Sequence, residues 1–538
     1  MLNPDVRDLL LAPRLEPAEV SSLLRPFGFR SPEDADRDLQ RLAEDPTARE
    51  RLAGYLPELL RCLSLSADPD QGLRFLERFV RASLGPRQLI ADLGERPLAM
   101  ELVARAFGAS PFMAEILIRH PAWYHWITDP SVVSHPRDRE EIAADLDRSL
   151  APLASVERRL DGMRIAHRRG ILHIGVRDLL RLATVEETLQ ALSALADVLI
   201  QKAYELAEET VRHEHALPPV APGSGTTGTG FTVLALGKLG GEELNFSSDV
   251  DLVYLYETDR GRMDRERRSP ARTPFYLSLA RRLTAYLGES TGEGSMYRVD
   301  LRLRPEGRAG AVAHSLRSIE DYYRLRGRTW ERLALVRARP VAGDLALGAR
   351  FLERVRPFIY GRPFEADARD EVRRLKEETD REVARRGETS RNVKLGAGGI
   401  REIEFLTQAF QLRFGARRPR LRDRHTLSAL GALADAGLVP RRDHDTLRRA
   451  YLFLRDVENK LQMVADAQVH SLPASQDEVR TCALRLGYRD LPGIGAGEGL
   501  LRDHRTHTEA VHRIFTAGFS GPLMEEAARR SGRRPGRL

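Results

Sequence analysis

The chain has 538 residues, of which 42% are hydrophobic and 30% are charged. This length and composition exclude a wholly disordered protein and predict roughly two to four folded domains. The two cysteines, Cys62 and Cys482, lie far apart and have no Cys/His metal spacing, which excludes a disulfide framework and a zinc ribbon. The N-terminus is not a secretory signal and no apolar run reaches about 18 residues, so we expect a soluble, cytoplasmic protein without membrane contact.

The basic residues are almost all arginines. The chain has five lysines, 80 arginines and 78 acidic residues, which gives a net charge of +7. Because the arginines occur in every region, they indicate a general compositional bias, and we predict no specific nucleic-acid partner. A lysine retained in a glycine-rich segment, as at Lys238 and Lys394, therefore suggests a specific contact with an anion.

The N-terminal region, residues 1–150, is predicted to be helical, with apolar residues spaced at three and four. Its best-marked helix lies within Ser110–Pro121, where Ser110 is an N-cap, Pro111 occupies the first helical position and Pro121 ends the helix. A further helix is predicted from Thr184 to Glu208. The segment Leu217–Gly230, rich in Pro, Gly, Ser and Thr, has the composition of a flexible loop.

Clear strand patterns occur only in the segment 231–345, the core of a predicted domain at 151–350. Phe231–Leu236 is an apolar strand, and Asp249–Tyr256 is typical of a central strand that helices cover. Tyr297–Pro305 alternates strictly, which predicts a third strand with Arg298, Asp300, Arg302 and Arg304 on one face.

From about residue 315 the pattern is helical again, with a C-terminal bundle predicted at 351–522 and a basic tail at 523–538. The individual helical stretches are Ser318–Arg339, Glu371–Arg386, Gly399–Leu412 and Leu447–Ala465. The predicted fold class is therefore α+β and mostly helical, with one small mixed sheet.

A glycine-rich turn follows the first strand. Its glycines, Gly237, Gly240 and Gly241, would let backbone amides approach an anionic ligand, although any tight turn between a strand and a helix favours glycine. The spacing matches neither a dinucleotide-binding fingerprint nor a P-loop.

Three aspartates carry the candidate chemistry. Asp249 and Asp251 point to the same face of one strand, where their mutual repulsion favours a divalent cation, unless each is satisfied locally. Asp300 on a neighbouring strand would complete a site for two Mg²⁺ ions, with Arg302 and Arg304 free to bind phosphate oxygens. The alternative for Asp300 is an ion pair within a solvated arginine face. Together the turn and the aspartates indicate phosphoryl or nucleotidyl transfer.

These motifs resemble those of a known family. Leu236-Gly237-Lys238, followed after ten residues by Asp249–Leu252, is similar to the polymerase-beta-like nucleotidyltransferase signature, with Lys238 as a departure. The block 237–252 as a whole resembles the enzymes that adenylylate and de-adenylylate glutamine synthetase. Four further blocks agree, so that the resemblance runs from about 100 to 465: Ser110–Pro121, Val299–Pro305, Trp330–Arg339 and Lys394–Phe405.

The resemblance implies a polymerase-beta-like core and a chemistry. Members of this family usually have two halves: an N-terminal one that removes AMP from a tyrosine of glutamine synthetase by phosphorolysis, and a C-terminal one that adds it from ATP. This chain contains each motif once. The residues of its motifs look more like those of the removing half, particularly at Asn245–Ser248, Asp321–Tyr323, Gly327-Arg328 and Lys394–Phe405. The implied ligands are Mg²⁺, with two ions expected, ATP or ADP, and phosphate. The implied partners are glutamine synthetase, a PII-type signalling protein and a separate adenylyltransferase half.

The resemblance also suggests roles for individual residues. Asp249, Asp251 and Asp300 would bind the metal and act in catalysis, while the nucleotide phosphates would be bound by Gly237, Lys238, Gly240, Gly241, Ser247, Ser248, Arg302 and Arg304. Lys394 or Arg401 would bind the attacking phosphate or the nucleotide, and the roles of Arg337 and Arg339 stay open. A polar stripe of Arg401, Glu404, Gln408 and Gln411 is either part of the site or a solvated face.

Three other functions stay open. The chain could add AMP to glutamine synthetase or another protein, or be a non-catalytic regulatory half. A nucleic-acid-modifying nucleotidyltransferase is the third alternative.

Overall fold

The computed structural model describes residues 5–217, 230–257, 272–362, 366–385, 387–464 and 467–520. Most of the predicted loop Leu217–Gly230 and the whole predicted tail 523–538 lie outside the described residues. Of the helices in the described ranges, none combines the length and the hydrophobicity that are needed to cross a membrane.

The chain forms two compact units that alternate along the sequence. The first unit comprises Met1–Pro136, Arg168–Thr188 and Asp456–His504, and the second comprises Arg137–His167, Leu189–Arg455 and Arg505–Leu538. The boundaries at 150, 350 and 522 that the sequence suggests stay predictions.

The first unit is helical, and prolines mark where many of its helices begin. A proline at the first position fixes φ where the helix needs no backbone donor. In the predicted helix at 110–121, the Ser110 hydroxyl accepts a hydrogen bond from the Met113 amide at 3.1 Å, which confirms the N-cap. Its helices are α1 Asp8–Leu11, α2 Pro17–Leu24, α3 Pro32–Leu42, α4 Pro46–Ser64, α5 Pro69–Ala82, α6 Pro86–Glu95, α7 Pro97–Ala109, α8 Pro111–Arg119, α9 Trp123–Ile127, α10 Pro130–Ser134 and α23 Gln476–Arg485.

The second unit combines helices with one small sheet. Those formed by this unit alone are α11 Arg139–Leu150, α14 Gly237–Gly240, α15 Arg272–Gly288, α16 Leu316–Leu325, α17 Thr329–Val336, α18 Leu345–Arg356, α19 Ala366–Arg385, α20 Ile400–Phe414 and α21 Thr426–Asp435. A π-helical turn, Pro357–Gly361, follows α18. The helices that contribute residues to both units are α12 Val156–Leu179, α13 Val185–Glu214, α22 Arg441–Gln462 and α24 Ala496–Ser520.

The sheet has the strand order β3-β2-β1-β5, and β4 also pairs with β2. Its strands are β1 Phe231–Ala235, β2 Val250–Tyr256, β3 Val299–Asp300, β4 Ala313–Ser315 and β5 Arg339–Gly343. β1 is antiparallel to β2 and β5, whereas β3 and β4 run parallel to successive parts of β2. Both β1 and most of β2 are buried, as their continuous apolar runs predict. The mostly helical α+β class with a small mixed sheet is therefore confirmed.

The third strand is much shorter than predicted. β3 ends at Asp300, and residues 301–312 form turns and a 3₁₀ helix, Gly307–Ala309, before β4 begins. The extended alternation is lost because the Arg302 amide donates to Asp300 Oδ1 at 2.8 Å, which turns the chain directly after the strand. The expectation that Arg302 and Arg304 continue one strand face is wrong.

The predicted helical stretch Ser318–Arg339 is also divided. It contains α16 and α17 and ends in β5, which the sequence did not indicate. The helices separate at Gly327, where a Cβ atom would lie 2.5 Å from the Phe358 ring and 2.7 Å from the Tyr323 carbonyl oxygen. A residue with a side chain would clash at this point, so Gly327 allows the close approach of the Phe358 ring.

Candidate active site

Asp251 and Asp300 are brought together by the pairing of β2 and β3. The two strands are parallel and in register, so that Asp251 lies opposite Asp300. Gly237, the second residue after β1, has φ +56°, and a Cβ atom there would lie 2.1 Å from Asp251 Oδ2. The glycine turn therefore provides the space into which the Asp251 carboxylate fits.

The pKa of Asp251 is affected by four other candidate residues. Burial raises the pKa of Asp251 to about 6, and the negative charges of Asp300 and Asp249 act in the same direction. Lys394 and Arg401 oppose this rise. Both basic residues therefore act on the Asp251 carboxylate, although Lys394 and Arg401 are more than 140 residues away in the sequence.

Arginines contact the other two carboxylates. Arg302 Nε donates to Asp300 Oδ2 at 2.7 Å, and although burial opposes it, this bonding lowers the pKa of Asp300. Arg298 Nε donates to Asp249 Oδ1 at 2.9 Å, and its Nη2 donates to the Ser247 hydroxyl at 3.0 Å. The local ion pair considered for Asp300 is thus present. Arg298 was not among the predicted site residues. Its position on the predicted strand face that carries Asp300 could have indicated that it lies at the site.

A magnesium ion is bound by several oxygen ligands, most often carboxylates. Among the described residues, no group of three or more His, Cys, Asp or Glu side chains stands in an arrangement that could hold a metal ion. The donor chemistry nevertheless suits a hard cation, because Asp251 and Asp300 are opposed carboxylates whose repulsion contributes to the raised pKa of Asp251. Metal binding by Asp249, Asp251 and Asp300 stays a proposal.

Two of the predicted phosphate-binding glycines instead make tight contacts within the protein. The Gly240 amide donates to the Leu236 carbonyl at 2.8 Å, and the Gly241 amide donates to the Gly237 carbonyl at 3.2 Å. A Cβ atom at Gly240 would lie 2.3 Å from the Arg337 carbonyl oxygen. These amides are used by the turn itself, which differs from the expectation that they bind nucleotide phosphates.

The polar candidates beside the turn also have contacts within the protein. Lys238 Nζ donates to Asn245 Oδ1 at 2.5 Å. Ser247 is buried, whereas Ser248 is partly exposed next to Asp249. Arg304 donates to the carbonyl oxygens of Leu301 at 2.7 Å and Ala311 at 3.0 Å, so it holds the loop after β3 together, which differs from its expected phosphate contact.

Glu243, just after the glycine turn, lies at the centre of a buried polar cluster. Its Oε2 accepts hydrogen bonds from the Tyr451 hydroxyl at 2.8 Å and the Thr426 hydroxyl at 2.9 Å. Its Oε1 accepts one from the Thr426 amide at 2.7 Å. The fully buried Arg455 donates to the Tyr451 hydroxyl at 2.7 Å and to Asn245 Oδ1 at 2.8 Å. α21 and α22 are thereby tied to the segment between the turn and β2.

Arg337 extends this cluster to α20. Its Nη2 lies 3.3 Å from Glu243 Oε2, and its Nη1 lies 3.1 Å from Glu404 Oε1. Burial alone would raise the pKa of Glu404, but Arg337 and other cations hold it at about 2. Arg339 makes a separate buried pair with Asp197, with both contacts at 2.9 Å. Both arginines whose roles the sequence left open, Arg337 and Arg339, thus make buried ion pairs within the protein.

The polar stripe on α20 is largely buried. Glu404, Gln408 and Gln411 lie inside the unit, and Gln411 Nε2 donates to the Leu421 carbonyl at 2.8 Å. Of these four residues only Arg401 is partly exposed, and the central carbon of its guanidinium lies 5.2 Å from the Phe405 ring centroid. A solvated face does not describe this stripe.

Comparisons with known proteins agree with the motifs. Residues 100–354 match the family model described as Glutamate-ammonia ligase adenylyltransferase, and residues 371–519 match one described as GlnD PII-uridylyltransferase. The chain is 41% identical over 397 residues to a Bifunctional glutamine synthetase adenylyltransferase/adenylyl-removing enzyme of Stenotrophomonas maltophilia, covering 73% of this chain and 40% of the relative. It is 37% identical over 434 residues to a relative of the same name in Thioalkalivibrio sulfidiphilus, covering 80% of this chain and 44% of the relative.

The chain thus spans less than half the length of these curated relatives. The segment 100–354, which matches the adenylyltransferase family model, includes the glycine turn, all three aspartates and the whole sheet. The resemblance inferred from the motifs is confirmed, and the chain belongs to the glutamate-ammonia ligase adenylyltransferase family of nucleotidyltransferases.

Proposed function

We propose that this chain removes AMP from an adenylylated tyrosine of glutamine synthetase by magnesium-dependent phosphorolysis. The observation that carries the proposal is the pairing of Asp251 with Asp300 beside Gly237, with Lys394 and Arg401 acting on the same carboxylate. Opposed carboxylates next to basic side chains are what phosphoryl and nucleotidyl transfer require. Removal of AMP is favoured over its addition because the residues of the motifs resemble those of the adenylyl-removing half.

In this reaction an oxygen of inorganic phosphate attacks the AMP phosphorus, the bond from phosphorus to the tyrosine oxygen breaks, and ADP and tyrosine form. Asp249, Asp251 and Asp300 would hold Mg²⁺, which when bound neutralises charge that develops on the transferred group. Lys394 and Arg401 would orient the attacking phosphate as fixed positive charges. Arg302 donates a hydrogen bond to Asp300, and from that position it would be near enough to contact a phosphate oxygen beside the carboxylate.

The direction of the reaction is tested with two incubations of the full chain. The first contains adenylylated glutamine synthetase, Mg²⁺ and phosphate, and the second contains unmodified glutamine synthetase, Mg²⁺ and labelled ATP. We expect ADP release in the first and no label transfer in the second. Label transfer in the second incubation alone would support the adenylyltransferase alternative and reject the removing role.

Two variants make the test specific to the site. Asp300→Asn should abolish ADP release, because it removes one of the opposed carboxylate charges. Asp435→Asn alters an exposed aspartate at the end of α21 and should leave ADP release unchanged. Equal activity of the two variants would show that the reaction does not need Asp300. If neither the unchanged chain nor the variants release ADP, a non-catalytic regulatory role is favoured.

A further inference from the structure

The backbone around Lys394 is held in a defined shape between α19 and α20. Asn392 Oδ1 accepts hydrogen bonds from the Lys394 amide at 3.1 Å and the Leu395 amide at 2.8 Å. The Arg401 amide donates to the Lys394 carbonyl at 3.0 Å, so the start of α20 is tied to the same residue. We refer to residues 394–399 as the lysine loop.

The C-terminal part of α24 lies directly against the lysine loop. Gly398 has φ +72°, and a Cβ atom there would lie 1.8 Å from the Thr508 carbonyl oxygen. One turn further along α24, His512 Nδ1 lies 3.2 Å from both carboxylate oxygens of Glu402, which is 1% exposed. α24 therefore contacts both the loop and the first turn of α20.

Lys376 on α19 connects the same groups from another direction. Its Nζ lies 3.2 Å from Glu402 Oε1 and donates to the Leu395 carbonyl at 3.4 Å. The buried Glu402 carboxylate thus lies between Lys376 and His512. A buried carboxylate with two such partners fixes its neighbours, because leaving either partner without it would cost free energy.

We propose that α24 positions Lys394 for the anionic group of the substrate, by fixing the backbone of the lysine loop through Thr508 and His512. In this view Thr508, His512, Glu402 and Lys376 are positioning residues, and Lys394 contacts the substrate. The contact of Lys394 with the substrate rests on the proposed function, whereas the contacts of α24 with the loop and with Glu402 are seen in the structure. The identity of the anion as inorganic phosphate rests on the proposed function.

The test compares two glycine substitutions with the same backbone strain. Gly398→Ala and Gly437→Ala both place alanine at a left-handed φ, +72° and +69°, but nothing lies within 4 Å of a Cβ at Gly437. Gly437 lies after α21, outside the lysine loop, and is exposed. A difference between the variants therefore reports the contact with α24 rather than strain.

Two measurements are made on the full chain. In the ADP-release reaction, we expect Gly398→Ala to raise the KM for inorganic phosphate about tenfold, with the KM for adenylylated glutamine synthetase unchanged. By hydrogen exchange, we expect faster exchange of the amides at 399–401 in Gly398→Ala. Gly437→Ala should match the unchanged chain in both measurements. The proposal is overturned if the two variants give equal KM values and equal exchange.

A second site keeps the proposal testable if Gly398→Ala does not fold. The His512 side chain is 52% exposed, so its replacement leaves the core intact. His512→Ala should raise the KM for phosphate, and His512→Gln, which can still donate to Glu402, should restore it. Equal KM values for both His512 variants and the unchanged chain would overturn the role of His512.

Failure of the proposed function has a different signature. If the unchanged chain releases no ADP, phosphorolysis is rejected, and the exchange data then decide on positioning by themselves. Faster exchange at 399–401 in Gly398→Ala, but not in Gly437→Ala, would support the role of α24 in the loop, and equal exchange would reject it.

Discussion

Asp251 and Asp300 lie opposite each other on parallel strands, yet their pKa values move in opposite directions. The Arg302 guanidinium donates to Asp300 and lowers its pKa, whereas burial and neighbouring carboxylates raise the pKa of Asp251 to about 6. The ionised form of Asp300 is stabilised by an arginine, whereas at Asp251 the effect of burial and the neighbouring carboxylates exceeds that of Lys394 and Arg401. We therefore expect a bound cation to change the ionisation of Asp251 more than that of Asp300.

The first prediction concerns the pH dependence of stability. The pKa of Asp251 is about 6 in the folded protein and 3.8 in its reference state, so the folded state binds the proton more tightly. Its contribution to the free energy of unfolding is therefore fully present below about pH 4 and is lost as the pH rises to 6. We expect Asp251→Asn to be more stable than the unchanged chain at pH 8, by about 2 kcal/mol, and to lose that advantage near pH 4.

Urea denaturation at pH 4, 6 and 8 measures this difference. Asp435→Asn is the control, because Asp435 is an exposed aspartate in the same unit. A stability difference between Asp251→Asn and the unchanged chain that stays constant with pH would contradict the assigned cause.

The second prediction is that Mg²⁺ stabilises the folded protein through the same carboxylates. A ligand that binds only the folded state raises the melting temperature as its concentration exceeds its dissociation constant. We expect millimolar MgCl₂ to raise the melting temperature of the unchanged chain and to have little effect on Asp251→Asn or Asp300→Asn. NaCl added to the same ionic strength as the MgCl₂ controls for screening. A rise of the same size in all three proteins would show that Mg²⁺ acts elsewhere.

The features predicted correctly from the sequence are those that nearby residues determine. The N-cap at Ser110, the apolar strand from Phe231 and the helix after Gly399 each depend on contacts within a few residues. The strand containing Asp251 is also present, but it begins at Val250, so Asp249 lies one residue before it, and a common face for the two aspartates stays a prediction. Together with the alternation at Tyr297–Pro305, these signals were sufficient to name the glycine turn and all three aspartates as candidates.

The features missed depend on residues far apart in the sequence. β5 is short and begins with Arg339, whose guanidinium pairs with Asp197, 142 residues earlier. Arg337 pairs with Glu404, 67 residues later, so a surface arginine and a buried ion pair look alike in the sequence. The end of β3 is set by the Arg302 amide and side chain on Asp300, which the strict alternation of the sequence conceals. Local periodicity cannot reveal such pairings.

The third prediction concerns the cluster around Glu243. Replacing Glu243 by alanine leaves Arg337 and Arg455 buried with less negative charge, and removes the acceptor of the Tyr451 hydroxyl. We expect a loss of about 3 to 5 kcal/mol in the free energy of unfolding, which is typical when one partner of a buried ion pair is removed. Urea denaturation measures the loss.

The matched control is Asp435→Ala, which removes an ion pair to Arg441 in which both side chains are more than 60% exposed. Its effect should be below about 1 kcal/mol, because exposed ion pairs contribute little. Similar losses in the two variants would mean that the Glu243 cluster is not a major source of stability.

The last prediction separates the fit of Asp251 against Gly237 from the backbone strain at that glycine. Gly237→Ala places a Cβ atom 2.1 Å from Asp251 Oδ2, so the carboxylate must move away from the turn. Gly387→Ala imposes a similar left-handed strain at φ +68°, with nothing within 4 Å of the added atom. Both variants should lose about 1 kcal/mol of stability from the strain, but only Gly237→Ala should lower kcat for ADP release, by about 100-fold. The measurements are urea denaturation and steady-state kinetics of the two variants side by side. If Gly387→Ala lowers kcat as much as Gly237→Ala does, the loss comes from strain in general, and the close contact between Gly237 and Asp251 has no special part in the reaction.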